Sequence, residues 1–217
     1  MDALLILDCD GVLVDSERLS HTVLRQLLLE QGVALSFDDT VERFIGTSMP
    51  ECWARVVALL GRPLPDGFAS QFGQRTRAAF EAELVAVPGV ERLLDALDRP
   101  CCVASNGNRA KVEFTLGHTG LPPRFADRIF SADDVVHPKP APDLFLHAAR
   151  CLGALTQHTS VVEDTPTGIR AAKAAGMRAI GFAAMTPRQR LVEAGADAVV
   201  DSMAELQALL ALDGAQP

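Results

Sequence analysis

The chain has 217 residues, 48% of them hydrophobic, and a formal net charge of -8. That much apolar material can build one sizeable core, or a core with an inserted domain. The acidic balance disfavours a general nucleic-acid binder, which needs a basic surface to replace counterions. The apolar runs fall short of the roughly 20 residues that a membrane span requires.

The first element is an apolar run, Leu4 to Leu7, that reads as a buried β-strand. It ends in Asp8-Cys9-Asp10-Gly11. Residues at i and i+2 share one face of a strand, so Asp8 and Asp10 converge beyond its end while Cys9 turns into the core. Two carboxylates held that close call for a cation or a proton between them. Gly11 permits the sharp turn that follows.

Residues 16–86 carry no convincing strand. Leu19, Val23 and Leu27 form a helical apolar stripe. Ser48-x-x-Glu51 has the form of a capping box, with Pro50 tolerated in the first turn. The helix it opens runs to Gly61, and Asp66 to Glu83 reads as another. Pro88-Gly89 marks the return from this all-helical unit. The domain boundaries are thus expected at 1–15 plus 87–217 for the core and 16–86 for the insertion.

From there strands and helices alternate. Strands are expected at Cys101 to Ala104, Arg128 to Ser131, Ser160 to Val162 and Arg178 to Phe182, with Ala198 to Val200 as a possible extension. Pro142 opens one helix that closes near Gly153. Thr165-Pro166 and Gly176 bracket another. A loose end is expected over 214–217. The alternation predicts an α/β fold: a Rossmann-like parallel sheet covered by helices on both faces, plus an inserted all-helical cap. Ligand sites in such sheets lie outside the carboxyl ends of the strands.

Several chemistry-bearing residues fall at those ends. Ser105 follows the second strand, with Asn106-Gly107-Asn108 forming a tight loop suited to an anion. Lys139 is pinned between Pro138 and Pro140, and His137 beside it is read as peripheral. Glu163-Asp164 ends a later strand and, with Asp8, offers hard oxygen donors of the kind that suit Mg²⁺.

The set resembles the four motifs of the haloacid dehalogenase-like hydrolases, in order and over nearly the whole chain. The resemblance implies an aspartyl-phosphate mechanism on a small phosphorylated substrate. Asp8 stands at the nucleophile, Asp10 at the general acid and base, Ser105 and Lys139 at the phosphate-binding positions. Asp8, the Asp10 carbonyl and Asp164 stand at the Mg²⁺ ligands, with Glu163 as an added contact. That metal is expected to keep Asp8 ionised while Asp10 holds the proton. Asn106 and Gly107 in the loop, and Glu17, Arg43, Gly46 and Thr47 in the cap, are assigned to substrate. Within the family the chain is similar to sugar-phosphate phosphatases of the 6-phosphogluconate type.

The main alternative is a sugar phosphomutase similar to β-phosphoglucomutase. Met49 and Ser20 stand where those enzymes place an Arg and a His, which favours hydrolysis. Asp10 argues against a metal-free dehalogenase, and the complete motif set against a silent binding module. The five cysteines show no Cys-x-x-Cys pair, and the acidic start is unlike a secretory leader. A cytoplasmic protein with free thiols is expected, acting as a monomer with no nucleic-acid or membrane partner.

Overall fold

A computed structural model describes residues 3–121, 125 and 127–214. Its centre is a six-stranded parallel sheet of order β3-β2-β1-β4-β5-β6. The strands are β1 (Leu4–Leu7), β2 (Cys101–Ser105), β3 (Ile129–Ser131), β4 (Thr159–Glu163), β5 (Arg178–Phe182) and β6 (Ala198–Val200). The third strand starts one residue later than the sequence suggests, and β4 extends one residue further at each end. The expected extension at Ala198 pairs with β5 as the edge strand.

Strand alternation builds two cores. Leu5, Leu7, Cys101 and Val103 face one side, against helices α5 (Val90–Ala96), α6 (Arg109–His118) and the C-terminal Met203–Gly214. Leu4, Ile6, Cys102 and Ala104 face the other, against α7 (Asp143–Cys151) and α8 (Pro166–Ala174). The adjacent thiols Cys101 and Cys102 therefore lie on opposite faces of the sheet. All five cysteines are free. Among the described residues no helix is long and apolar enough to cross a membrane.

The helix ends follow the sequence signals. Thr165 accepts from the Gly168 N–H with Pro166 in the first turn, and Gly176 follows the last turn at φ +70°. Of the expected loose end only Gly214 lies within the described residues, as the last residue of its helix.

The insertion holds four helices: α1 (Ser16–Glu30), α2 (Phe37–Phe44), α3 (Met49–Leu60) and α4 (Phe68–Glu83). The capping box at Ser48 and Glu51 is present, and Gly61 ends α3 in the left-handed region at φ +64°. Helix α2 was not anticipated. It is short, and its capping box uses Asp39 rather than Glu or Gln to reach back to Ser36. The four helices close on their own apolar centre of Leu24, Leu27, Leu28, Phe44, Cys52, Val56 and Phe68.

Two chain crossings tie this cap to the sheet. Asp15 donates its N–H to the Val85 carbonyl at 3.0 Å, and Val87 donates to Leu13 at 2.9 Å. Between them Val14 and Ala86 form an antiparallel bridge.

Leu28 is fully buried in the cap centre. Leu28→Ala should lower unfolding stability by about 2–5 kcal/mol, the usual cost of a buried Leu-to-Ala cavity. Urea denaturation checks this, and a loss below about 1 kcal/mol would show that the cap centre is not close-packed.

Candidate active site

Sheet register assembles the site. Leu7 pairs with Val103 of β2 and with Val162 of β4, so the ends of all three strands are level. Asp8 continues the ladder by donating its N–H to the Val162 carbonyl at 3.0 Å. Asp8, Ser105, Glu163 and Asp164 are thereby brought together at the carboxyl edge. The chain runs outward from β1 through β2 to β3 and then crosses to β4 on the other side of β1, which makes the carboxyl edge between β1 and β4 the topological switch point.

Lys139 is the hub. Its Nζ donates to Asp8 Oδ1 at 2.7 Å, to the Ala104 carbonyl at 2.7 Å, and to Glu163 Oε1. These three acceptors use every N–H an ammonium has. The Phe145 ring lies 4.9 Å away and closes off solvent. The Lys139–Pro140 peptide is cis.

Asn106 grips the Lys139 backbone from both sides, accepting from its N–H at 2.9 Å and donating to its carbonyl at 3.0 Å. Asn106 thus positions Lys139, and its exposed amide keeps a second N–H and a second lone pair for the substrate contact expected from the sequence. Ser105 is buried, and its hydroxyl accepts from the Gly107 N–H at 3.1 Å, so the two form one tight loop.

Both oxygens of Glu163 are also engaged. Besides Lys139, its second oxygen accepts from the Thr165 hydroxyl at 3.1 Å. Its carboxyl group fills the space over Gly168, where a Cβ would lie 1.9 Å from the carboxyl carbon.

Asp164 differs from its neighbour. It is 1% exposed, and neither side-chain oxygen has a hydrogen-bond partner. Gly11, at φ +77°, lets the backbone approach so closely that a Cβ there would sit 2.1 Å from Asp164 Oδ2. Oxygens of Asp8, Glu163 and Asp164 lie within 4.8 Å of one another. Three buried carboxylates face one ammonium, a deficit of two positive charges. Burial, followed by the charges of Asp8 and Glu17, pushes the Asp164 carboxyl well above the ordinary carboxylate range. An orphaned buried carboxylate in an oxygen-only donor set fits a hard divalent cation.

Asp10 stands apart from that set. Its carboxylate accepts from the Ser16 hydroxyl at 2.5 Å and from Lys111 Nζ at 2.8 Å. Any contribution of Asp10 to a cation thus falls to its backbone carbonyl. Burial raises Asp8 to about 7 against the opposing pull of Lys139. Burial also acts on Asp10, but Lys111 and Ser16 outweigh it and hold Asp10 below the ordinary range.

Lys111 escaped sequence reasoning. A usable signal was present: a lysine in the first turn of a helix is opposed by the helix dipole and needs another reason to be there.

The cap residues are spread more widely. Glu17 is partly buried, 3.4 Å from the His21 ring, and in electrostatic contact with Asp10 and Lys111. Gly46 docks on the core, its carbonyl accepting from the Thr167 hydroxyl at 3.2 Å. Thr47 turns its hydroxyl to the Phe44 carbonyl. Arg43 is exposed at the end of α2, with its carbonyl taken by Arg55. Gly46 lies beside Thr165, whose hydroxyl holds Glu163, with a Cβ at Gly46 falling 3.5 Å from the Thr165 Cβ. His137 is peripheral, paired with Asp143 at the surface.

Residues 3–176 match the family model described as a haloacid dehalogenase-like hydrolase. The chain belongs to that family. It is 32% identical to the 6-phosphogluconate phosphatase of Escherichia coli over 178 residues, 82% of this chain and 80% of the relative. A conserved haloacid dehalogenase-like protein of unknown function from Agrobacterium tumefaciens superposes with a TM-score of 0.93 at 36% identity, over 99% of this chain and 100% of that one. A family hydrolase from Deinococcus radiodurans, solved with bound phosphate and sodium, gives 0.85 at 32% identity over 99% and 96% of the two chains.

Gly168→Ala forces a Cβ into the space of the Glu163 carboxyl group and so loosens Lys139. Losing a charge-assisted contact of about 1.5–3 kcal/mol should lower kcat/KM roughly tenfold to hundredfold without unfolding the chain. Phosphate-release kinetics beside circular dichroism test this. Parent-like kcat/KM would show that Glu163 does not hold Lys139 in place.

Proposed function

We propose that the protein is a Mg²⁺-dependent phosphatase that hydrolyses a small phosphorylated metabolite, a sugar phosphate, through an aspartyl-phosphate on Asp8. The observation that carries this reading is the Asp8 carboxylate fixed by buried Lys139, with a separately held Asp10 two residues on. The similarity to a 6-phosphogluconate phosphatase favours sugar phosphates as the substrate class.

Asp8 attacks phosphorus while Asp10 delivers a proton to the departing alcohol. Asp10, now a carboxylate, takes a proton from water as that water attacks the phosphoryl group. Inorganic phosphate leaves, and Asp8 is regenerated. Lys139 holds the nucleophile and offsets charge on the phosphoryl oxygens, beside the Ser105–Gly107 loop. The Asp8 and Asp164 carboxylates and the Asp10 carbonyl are the proposed Mg²⁺ ligands, with Glu163 near the set and anchoring Lys139. Bound there, Mg²⁺ supplies charge stabilisation to the phosphoryl oxygens.

Two positions support hydrolysis over a mutase. Met49 is an exposed first-turn residue of α3 without charge. The Ser20 hydroxyl is turned onto the Ser16 carbonyl, and His21 is buried with Nδ1 on the Glu17 carbonyl at 2.7 Å.

Asp8→Asn should abolish phosphate release, because an amide cannot replace the attacking carboxylate. Excess EDTA should do the same to the parent chain, with recovery on adding Mg²⁺. Full activity in either case, measured on a panel of sugar phosphates, would remove the assigned nucleophile or metal.

With β-glucose 1-phosphate and catalytic glucose 1,6-bisphosphate, free phosphate should form faster than glucose 6-phosphate. A coupled assay in which the isomer outpaces phosphate would replace this reading with the mutase.

A further inference from the structure

Lys111 is built into the site by three separate features. The Asn108 side chain caps α6 by accepting from the Lys111 N–H at 2.8 Å, which places the lysine in the first turn above the Ser105–Gly107 loop. Its stem then crosses Gly107, where a Cβ would lie 3.3 Å from Lys111 Cδ. The bare glycine thus gives the stem its path. Finally, Nζ reaches Asp10 at 2.8 Å.

That contact uses one of three ammonium donors. Among the described residues Nζ makes no other hydrogen bond. The Lys111 side chain remains 41% exposed, so solvent reaches it. Glu17 of the cap lies across from it in electrostatic contact.

Resting on the assignment of Asp10 as the acid that protonates the leaving oxygen, we propose that Lys111 is a substrate-binding, specificity-determining residue. It recognises an oxygen substituent, hydroxyl or carboxylate, on the carbon next to the one that bears the phosphate ester. The geometry is set by the shared carboxylate. Ser16 occupies Asp10 Oδ1, so the ester oxygen shares Oδ2 with Lys111 Nζ, and two hydrogen bonds at one oxygen put them within about 5 Å of each other. An oxygen on the neighbouring carbon sits roughly 3 Å from the ester oxygen in a gauche arrangement. It therefore falls within reach of the free ammonium donors. Glu17, on the cap side, is placed to accept from a hydroxyl there and to repel a carboxylate. Between the two substituents this favours the hydroxyl, and it selects polyol phosphates over simple alkyl phosphates.

The test compares 2-hydroxyethyl phosphate with ethyl phosphate, which differ only in that hydroxyl. For the parent chain, kcat/KM should favour the hydroxylated ester by about tenfold or more, the worth of one charge-assisted hydrogen bond. Lys111→Met should bring the ratio close to one, and Lys111→Arg should restore part of it. A lysine that merely orients Asp10 would slow both esters equally and leave the ratio unchanged. An unchanged ratio in Lys111→Met, or a parent ratio near one, overturns the inference. The phosphatase reading fails separately if the parent chain, supplied with Mg²⁺, releases no phosphate from either ester or from p-nitrophenyl phosphate.

Discussion

The site depends on one buried ammonium. Lys139 is enclosed by Asp8, Glu163 and the Ala104 carbonyl, with an aromatic ring behind it. A buried ion pair is costly unless its geometry is good and its remaining donors are met. Here all three donors are met, and each neighbour is held in turn. Asn106 fixes the backbone of the lysine, Thr165 the far oxygen of Glu163, and the β1–β4 ladder the backbone of Asp8. Asp8 is therefore presented with little freedom, as an attacking group requires.

The same arrangement leaves a charge unresolved. Asp10 is balanced by Lys111, and either Asp8 or Glu163 by Lys139. The remaining acid of that pair and Asp164 have no compensating cation among the described residues. Asp164 shows this most plainly, since both its oxygens are buried without partners. The glycines at 11 and 168 belong to the same design, because a side chain at either place would collide with one of these carboxylates. As a set of anions the cluster calls for added positive charge, which the proposed Mg²⁺ would supply.

Most of the framework was legible in the sequence because its signals are local. Strand alternation separated Cys9 from Asp8 and Asp10, and placed Cys101 and Cys102 on opposite faces. Capping chemistry located the starts of α3 and α8. The carboxylates, Ser105 and Lys139 were singled out because their order and spacing, each at a strand end or in a stiff loop, resemble the four motifs of the family. What was not legible depends on where side chains reach in three dimensions. Asn106 was read as a ligand-binding amide, and its distance from Lys139 along the chain hid the backbone clamp. Glu163 and Asp164 are adjacent and alike in sequence, yet one is saturated and the other unpartnered, a difference made by Thr165, Gly168 and Gly11. Lys111 meets Asp10 across 101 positions of chain. Helix α2 was hidden by its shortness and by an Asp in its capping box.

The account turns on the claim that the chain supplies two negative charges too many at the ends of β1 and β4. Equilibrium binding of Mn²⁺, used as a paramagnetic stand-in for Mg²⁺ and followed by loss of the free-ion resonance signal, measures this without reference to turnover. One Mn²⁺ per chain should bind, be displaced by Mg²⁺, and be lost in a folded Asp164→Asn variant. Failure of the parent chain to bind Mn²⁺, or binding undiminished by Asp164→Asn, would contradict the account.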